Sequence, residues 1–237
     1  MGTTSKYKIG LLTPTRGDRP LFNDQYNELI KSQTVQPDEI IKVDYKPVSD
    51  KKDLGARYRI GIQEATKRGC DVILLWEDDD WYHPTYLEFM LNKWEQHGKP
   101  DVLGVNETYY YHILKNGLRH LRHGGRSSAF CTLLKIPYKY SFVQDEDIYF
   151  DCHLYKKHAQ KYLNTITIPF DKEILAIGIK HNYGTSGGNG HSDSFLYKTK
   201  GQQALDWLDK HCMDSEIYKE IAKNIKQSNE NKRKHRI

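Results

Sequence analysis

The sequence predicts an α/β fold with a mostly parallel sheet in its first half and a mixed sheet in its second. Three observations predict it. Apolar strands and amphipathic helices alternate up to Gly98, the alternation then breaks into short strands and a hairpin, and polar residues collect where the first-half strands end. Such alternation builds a Rossmann-like sheet flanked by helices, and ligands gather in the loops at the carboxyl ends of its strands.

Element by element, Tyr7 to Thr13 reads as a strand. Leu21 to Ser32 reads as a helix with Leu21, Phe22, Leu29 and Ile30 inward, and Glu39 to Tyr45 as the second strand. Lys52 to Arg68 places Leu54, Tyr58, Ile62 and Ala65 at helical spacing, and Asp71 to Trp76 is the third strand. Pro84 stands where helices begin, with Tyr86, Leu87, Met90, Leu91 and Trp94 as the stripe behind it. Beyond Gly98, Asp101 to Asn106 is a strand and Tyr109 to Arg122 a hairpin turning at Asn116-Gly117, a pair suited to a two-residue turn. Ala129 to Leu134 is a further strand, Asp145 opens a helix through His158, and Asn164 to Ile168 and Glu173 to Lys180 complete the strands. The glycines between Gly184 and Ser192 predict a mobile loop. Leu205 and Leu208, then Ile217, Ile221 and Ile225, mark closing helices before a disordered basic end. The expected division is a single domain over 1–200, with a nucleotide-binding half (6–97) and an acceptor half (98–200), followed by C-terminal helices and a basic tail (201–237).

The third strand runs into Glu77-Asp78-Asp79-Asp80. Clustered carboxylates cost free energy unless a cation neutralises them, and hard oxygen ligands at a strand end suit Mn2+ or Mg2+, which bridge a diphosphate. The competing reading is an acidic turn capping the next helix, but capping needs one carboxylate, not four. A second acidic group, Asp145, Glu146, Asp147 and Asp151, stands at a predicted helix start. A helix dipole accounts for one or two of these acids.

Of the net charge of +5, all resides in Lys219 to Ile237, where seven Lys/Arg face two acids. Thr108 to Gln144 holds six Lys/Arg, no acid, and Tyr109, Tyr110 and Tyr111. Basic and aromatic residues interleaved in this way suit phosphates and flat rings, and equally a solvated basic hairpin. Tyr109, Tyr111, Arg119, Arg122 and Arg126 are the candidate acceptor contacts. No apolar run approaches the ~20 residues that span a membrane, and the first residues lack a secretory signal. The expectation is a cytoplasmic protein without a transmembrane segment, its four scattered cysteines free and neither zinc-binding nor disulfide-paired.

Thr13-Pro14-Thr15-Arg16-Gly17-Asp18-Arg19-Pro20, the strand ending at Asp44, Gly55-Ala56-Arg57-Tyr58-Arg59-Ile60-Gly61-Ile62 and Glu77-Asp78-Asp79-Asp80-Trp81-Tyr82-His83-Pro84 together resemble the inverting GT-A glycosyltransferases of family 2. The similarity covers roughly residues 6 to 97, with a weaker continuation to about 181. It implies a metal-dependent transfer from a nucleoside-diphosphate sugar, with UDP the usual carrier. On the donor side it implies Pro14, Thr15 and Arg16 in the nucleotide pocket, Asp44 on the base, Arg57 or Arg59 on the diphosphate, and Glu77, Asp78 and Asp80 in the acidic motif. Asp79 and Asp80 would hold the metal, with His181, or its competitor His191, completing the shell. The first motif Asp is Glu77 here, which leaves that outer contact open. The Glu146-Asp147 pair matches the family's catalytic acids, so the resemblance implies Asp147 as base, with Asp145 and Asp151 as alternatives.

The acceptor is expected to be a hydroxyl on a polyanion, such as DNA bearing a hydroxymethylated pyrimidine, or a cell-wall, capsule or lipopolysaccharide precursor. Two other classes compete. A sugar nucleotidyltransferase would need a Gly-rich, basic signature that Thr13 to Gly17 matches poorly. A non-catalytic nucleic-acid binder has no use for two carboxylate clusters.

Overall fold

The computed structural model describes residues 6–46, 53–138, 150–156, 159–183 and 197–234. The first sheet has the order β2 (Glu39–Val43), β1 (Ile9–Pro14), β3 (Val72–Leu75), β8 (Thr132–Lys135), β5 (Val102–Val105) and β9 (Thr165–Ile168). β1 is parallel to β2 and β3, β5 is parallel to β9, and β8 runs antiparallel to both β3 and β5. β1 and β3 are buried along their whole length, as their unbroken apolar runs require in a sheet covered on both faces.

Helix α2 (Leu54–Lys67) and α4 (Phe150–Leu154) cover one face, packing Tyr58, Ile62, Phe150 and Leu154 against Leu12, Ile41 and Val43. The approach is close: a Cβ on Gly61 would lie 2.0 Å from Leu12 Cδ1. The other face meets α1 (Asn23–Lys31), α3 (Tyr86–Gln96) and the second sheet, with order β11 (Thr199–Lys200), β7 (Gly117–Arg122), β6 (Glu107–His112), β10 (Ala176–Lys180) and β4 (Trp81–Tyr82).

On the second sheet, residues paired directly across strands share a face. Tyr110, His112, Gly178, Lys180 and Arg119 therefore lie on one side, and Tyr109, Tyr111, Ile177, Leu118, His120 and Arg122 on the other. The second side is covered by α5 (Gln202–His211) and α6 (Ser215–Lys234). Tyr109 stacks on Trp207 with ring centroids 5.4 Å apart, and the Trp81 indole donates to Asp214 at 2.8 Å. Ala204, Leu208, Tyr218, Ile221 and Ile225 join the main core.

Several expectations shift. The two sheets cross the expected boundary at residue 97, since β5, β8 and β9 complete the first sheet and β4 joins the second. The pair Trp81–Tyr82, unassigned by periodicity, is β4, too short to carry a pattern. The hairpin turns through Ile113 to Asn116, with His112 opposite Gly117 and Asn116 alone left-handed (φ 44). Gly117 belongs to the strand, paired with His112, and the Tyr197 ring lies against it, where a Cβ would be 2.8 Å away. Ala129–Cys131 is a 3-10 turn ahead of β8. The basic end is helical to Lys234 because α6 is anchored through its apolar stripe. The expected start of the 145–158 helix and the 184–192 loop lie outside the described residues.

All four cysteines are free. No helix among the described residues is long and apolar enough to cross a membrane.

Candidate active site

The end of β3 enters a buried turn. Trp76 stacks on Tyr82 at 3.7 Å, and the Tyr82 hydroxyl accepts the Glu77 amide at 2.8 Å, so the short strand β4 holds the acidic turn from behind. Asp78, Asp79 and Asp80 are buried and Glu77 is half-buried. One carboxylate oxygen from each of Glu77, Asp79 and Asp80 can be chosen so that all lie within 4.8 Å of one another.

Two cations face this turn. The buried Arg19 guanidinium pairs with Asp78 Oδ1 at 2.5 Å and donates to Asp79 Oδ2. Lys180, buried at the end of β10, stands in the field of Asp80, Glu77 and Asp79. Four carboxylates against two permanent cations leave two negative charges. Burial raises the Glu77 carboxyl to about 7 and Asp80 well above the usual carboxylate range, with the neighbouring carboxylates adding to both. Protons thus stand in for missing positive charge. Burial pushes Asp79 the same way, but Arg19 and His181 outweigh it and hold Asp79 below the ordinary range.

The donor set fits a hard divalent cation. Asp79 Oδ1 and Asp80 Oδ2 are buried carboxylate oxygens without a hydrogen-bond partner among the described residues, which is costly unless an ion takes them up. Their other oxygens are fixed: Asp80 Oδ1 accepts the Ile179 amide at 2.7 Å, and Asp79 Oδ2 meets His181 Nε2 at 2.8 Å. A charge deficit of two at an all-oxygen site matches Mn2+ or Mg2+.

A family model described as "Glycosyl transferase family 2" matches residues 26–163, more than half the chain. The chain belongs to glycosyl transferase family 2. A search of curated proteins finds no match. Among solved structures it is similar to the crystal structure of S. aureus TarS, at 11% identity and a TM-score of 0.43, over 72% of this chain and 36% of that one. This chain therefore spans little more than a third of that structure's length. The mostly parallel sheet backed by a mixed one is the GT-A fold of the family.

Within this family 2 fold, the donor-side candidates converge on the edge where β1, β2 and β3 end. Pro14 closes β1 opposite Val43, and the Thr15 amide donates to the Val43 carbonyl at 3.0 Å. The Thr15 hydroxyl donates to Asp78 Oδ2 at 2.5 Å, which ties the first loop to the acidic turn. Asp44 is exposed, one residue past β2. Arg16 donates to Asp53 at 3.1 Å.

Arg57 departs from expectation. Its Nε and Nη2 donate to Asp53, its Nη1 to the Thr15 and Val43 carbonyls, and its Nη2 also to Tyr45 O at 2.8 Å. A guanidinium has five N–H donors, and all five are engaged. Arg57 therefore brackets the ends of β1 and β2 and has no donor left for a diphosphate. Arg59, two residues on and so about 200° around the helix, is half-buried and leaves that edge.

His181 sits on Asp79 but in a donor's role. The Tyr183 amide donates into Nδ1 at 2.9 Å, which puts the imidazole proton on Nε2, aimed at Asp79. In this arrangement His181 orients the carboxylate and cannot offer Nε2 to an ion.

The acceptor candidates separate. Tyr111 is 1% exposed and packs among α5 and α6, because its register puts it on the covered face of the second sheet. Tyr109 is half-buried between His120 and Trp207 on the same face. Arg119 is on the opposite face from Arg122, and Arg126 is exposed beyond β7.

Asp151 is half-buried at the start of α4. Burial, and behind it the charges of Glu77, Asp151 and Asp80, raise Tyr58, and burial, with Asp151 and Asp80 adding to it, raises Tyr110 in the other core cluster. Asp145, Asp147 and His191 lie outside the described residues.

Pattern reading passed over Arg19 and Lys180. Each had a signal: Arg19 is a cation in the loop after the first strand, and Lys180 closes an otherwise apolar strand.

Proposed function

We propose that this family 2 chain transfers a sugar from a nucleoside-diphosphate sugar, with UDP as carrier, to a hydroxyl acceptor with inversion. The observation that carries the reading is the buried turn in which Glu77, Asp79 and Asp80 each bring a carboxylate oxygen within 4.8 Å of the others, and in which Asp79 and Asp80 each also hold a buried oxygen without a hydrogen-bond partner among the described residues. These residues would hold Mn2+ or Mg2+, which when bound neutralises charge on the departing diphosphate. His181 and the Ile179 amide aim the two aspartates, while Tyr82 fixes the Glu77 backbone. Asp44 and the Pro14–Thr15 loop receive the nucleoside at the strand edge.

Inversion is an in-line displacement, so a carboxylate must take the acceptor's proton on the face opposite the leaving group. We assign that role to Asp147, with Asp145 and Asp151 as the alternatives. Asp147→Asn should lower turnover by roughly 10²-fold or more with little change in donor affinity. If Asp145→Asn or Asp151→Asn alone gives that pattern, the base is the other residue.

For the acceptor, the reading is a polyanion carrying a free hydroxyl, DNA with a hydroxymethylated pyrimidine being the concrete case. Its support is charge placement: exposed Arg122 and Arg126, and a C-terminal stretch that carries the chain's whole net charge. Slow, Mn2+-dependent release of UDP from a UDP-sugar without acceptor tests the donor half. Pyrophosphate from UTP and a sugar phosphate would mark a nucleotidyltransferase instead. Electrophoretic mobility with DNA over a salt series tests the acceptor half, and no retardation at low salt returns the protein to cell-surface glycoconjugates.

A further inference from the structure

Two buried arginines close the donor edge, and their bonding differs in kind. Arg57 spends all five donors, three of them on backbone carbonyls, so moving it would strand the ends of β1 and β2. Among the described residues, Arg19 is held by carboxylates alone. Its Nη1 and Nη2 reach Asp79 and Asp78, and its buried Nε has no partner among the described residues. A guanidinium that binds no backbone and leaves a donor unsatisfied in a dry site is anchored only while those carboxylates need it.

A divalent ion removes that need. An ion taken up by Asp79 Oδ1 and Asp80 Oδ2 would share Asp79 with the guanidinium on Oδ2, and like charges on one buried carboxylate oppose each other strongly. The diphosphate that accompanies the ion brings negative charge to the same edge. Gly17, two residues before Arg19, is left-handed (φ 69), a backbone setting that glycine adopts freely, and nothing lies within 4 Å of the position its Cβ would take.

We propose that Arg19 is a built-in counter-ion that exchanges partners. In the ion-free protein it neutralises Asp78 and Asp79, and when the ion and nucleoside diphosphate enter it passes from the carboxylates to the diphosphate. Arg19 thereby disfavours ion binding without nucleotide and favours it with nucleotide, which couples the two ligands. This rests on the metal-dependent reading above.

The test is Mn2+ affinity by electron paramagnetic resonance of the free ion, without and with UDP, on the unsubstituted protein, Arg19→Met and Arg19→Lys, each checked for folding by circular dichroism. With the competing charge gone, Arg19→Met should bind Mn2+ alone at least about tenfold more tightly, within the usual range of site-to-site couplings, and UDP should no longer strengthen that binding. Arg19→Lys, which keeps the charge, should stay near the unsubstituted protein. Unchanged or weaker Mn2+ binding by a folded Arg19→Met overturns the exchange while leaving the metal site standing. Failure of the unsubstituted protein to bind Mn2+ even with UDP overturns the metal reading and the exchange with it. If Arg19→Met does not fold, the arginine Nε–H resonance of Arg19 in the unsubstituted protein decides. A shift on adding Mg2+ and UDP together supports the exchange, and an unmoved resonance overturns it.

Discussion

At the residue scale the site is governed by which buried polar atoms are satisfied. Asp79 has one oxygen committed to His181 and Arg19 and the other unpartnered, so Asp79→Asn removes the charge an ion needs and leaves Arg19 with Asp78 alone. The variant should lose Mn2+ binding, read by titration calorimetry, and should be destabilised by about 1–3 kcal/mol because a buried cation loses half its pairing. His181→Ala should cost less Mn2+ affinity than Asp79→Asn, because it removes an orienting donor and not a ligand. Arg57 gives the opposite signature. Arg57→Met leaves the Thr15 and Tyr45 carbonyls without the guanidinium and takes one donor from the Val43 carbonyl and two from Asp53, which keep only the Thr15 amide and Arg16, so urea unfolding should show a loss of about 3 kcal/mol. Retention of full stability would mean that those five bonds are not what holds the strand ends together.

At the element scale the hairpin β6–β7 decides what its basic residues can touch. Two-residue periodicity sends Arg119 to the face with Tyr110 and Lys180, and Arg122 to the face with Tyr109. The cluster that looks continuous along the chain is thus split between the two faces of one sheet. Arg122 also sits directly across from Glu107, which cancels part of its field, while Arg126 is exposed beyond the strand. If the acceptor is DNA, Arg126→Ala should flatten the plot of log affinity against log salt by about one unit, a full phosphate contact, and Arg122→Ala by clearly less. Equal effects, measured by mobility shift across a salt series, would show that the cross-strand pairing is irrelevant to binding.

At the scale of the whole molecule the C-terminal helices are part of the core. Tyr218, Ile221, Ala222 and Ile225 are buried on the second sheet, so a truncation at Lys219 would remove core side chains together with charge. Deleting 232–237 instead removes four Lys/Arg and no acid while sparing Ile225, the last buried residue described. That shortened chain should melt within a few degrees of the full one, because it keeps every side chain that is buried among the described residues. Its acceptor KM should rise and its salt dependence flatten, with donor hydrolysis unchanged. A large fall in melting temperature would place the end of α6 among the stabilising elements.

The sequence by itself determined the alternating first half, the position of the acidic turn and the family, because period-two and period-3.6 patterns and a run of four carboxylates are local signals. That Pro14, Thr15 and Asp44 stand at strand ends on one edge was legible for the same reason, each following or closing a clear strand. Only the tertiary structure decided which cations meet those carboxylates, since Arg19 lies 60 residues along the chain from Asp79, and Lys180 lies 100 residues from Asp80. It also decided the roles of Arg57 and His181, because a donor's function depends on which of its N–H groups are already taken. The two faces of the hairpin were decided by register, which pairs strands distant in sequence and which no window along a single chain can read.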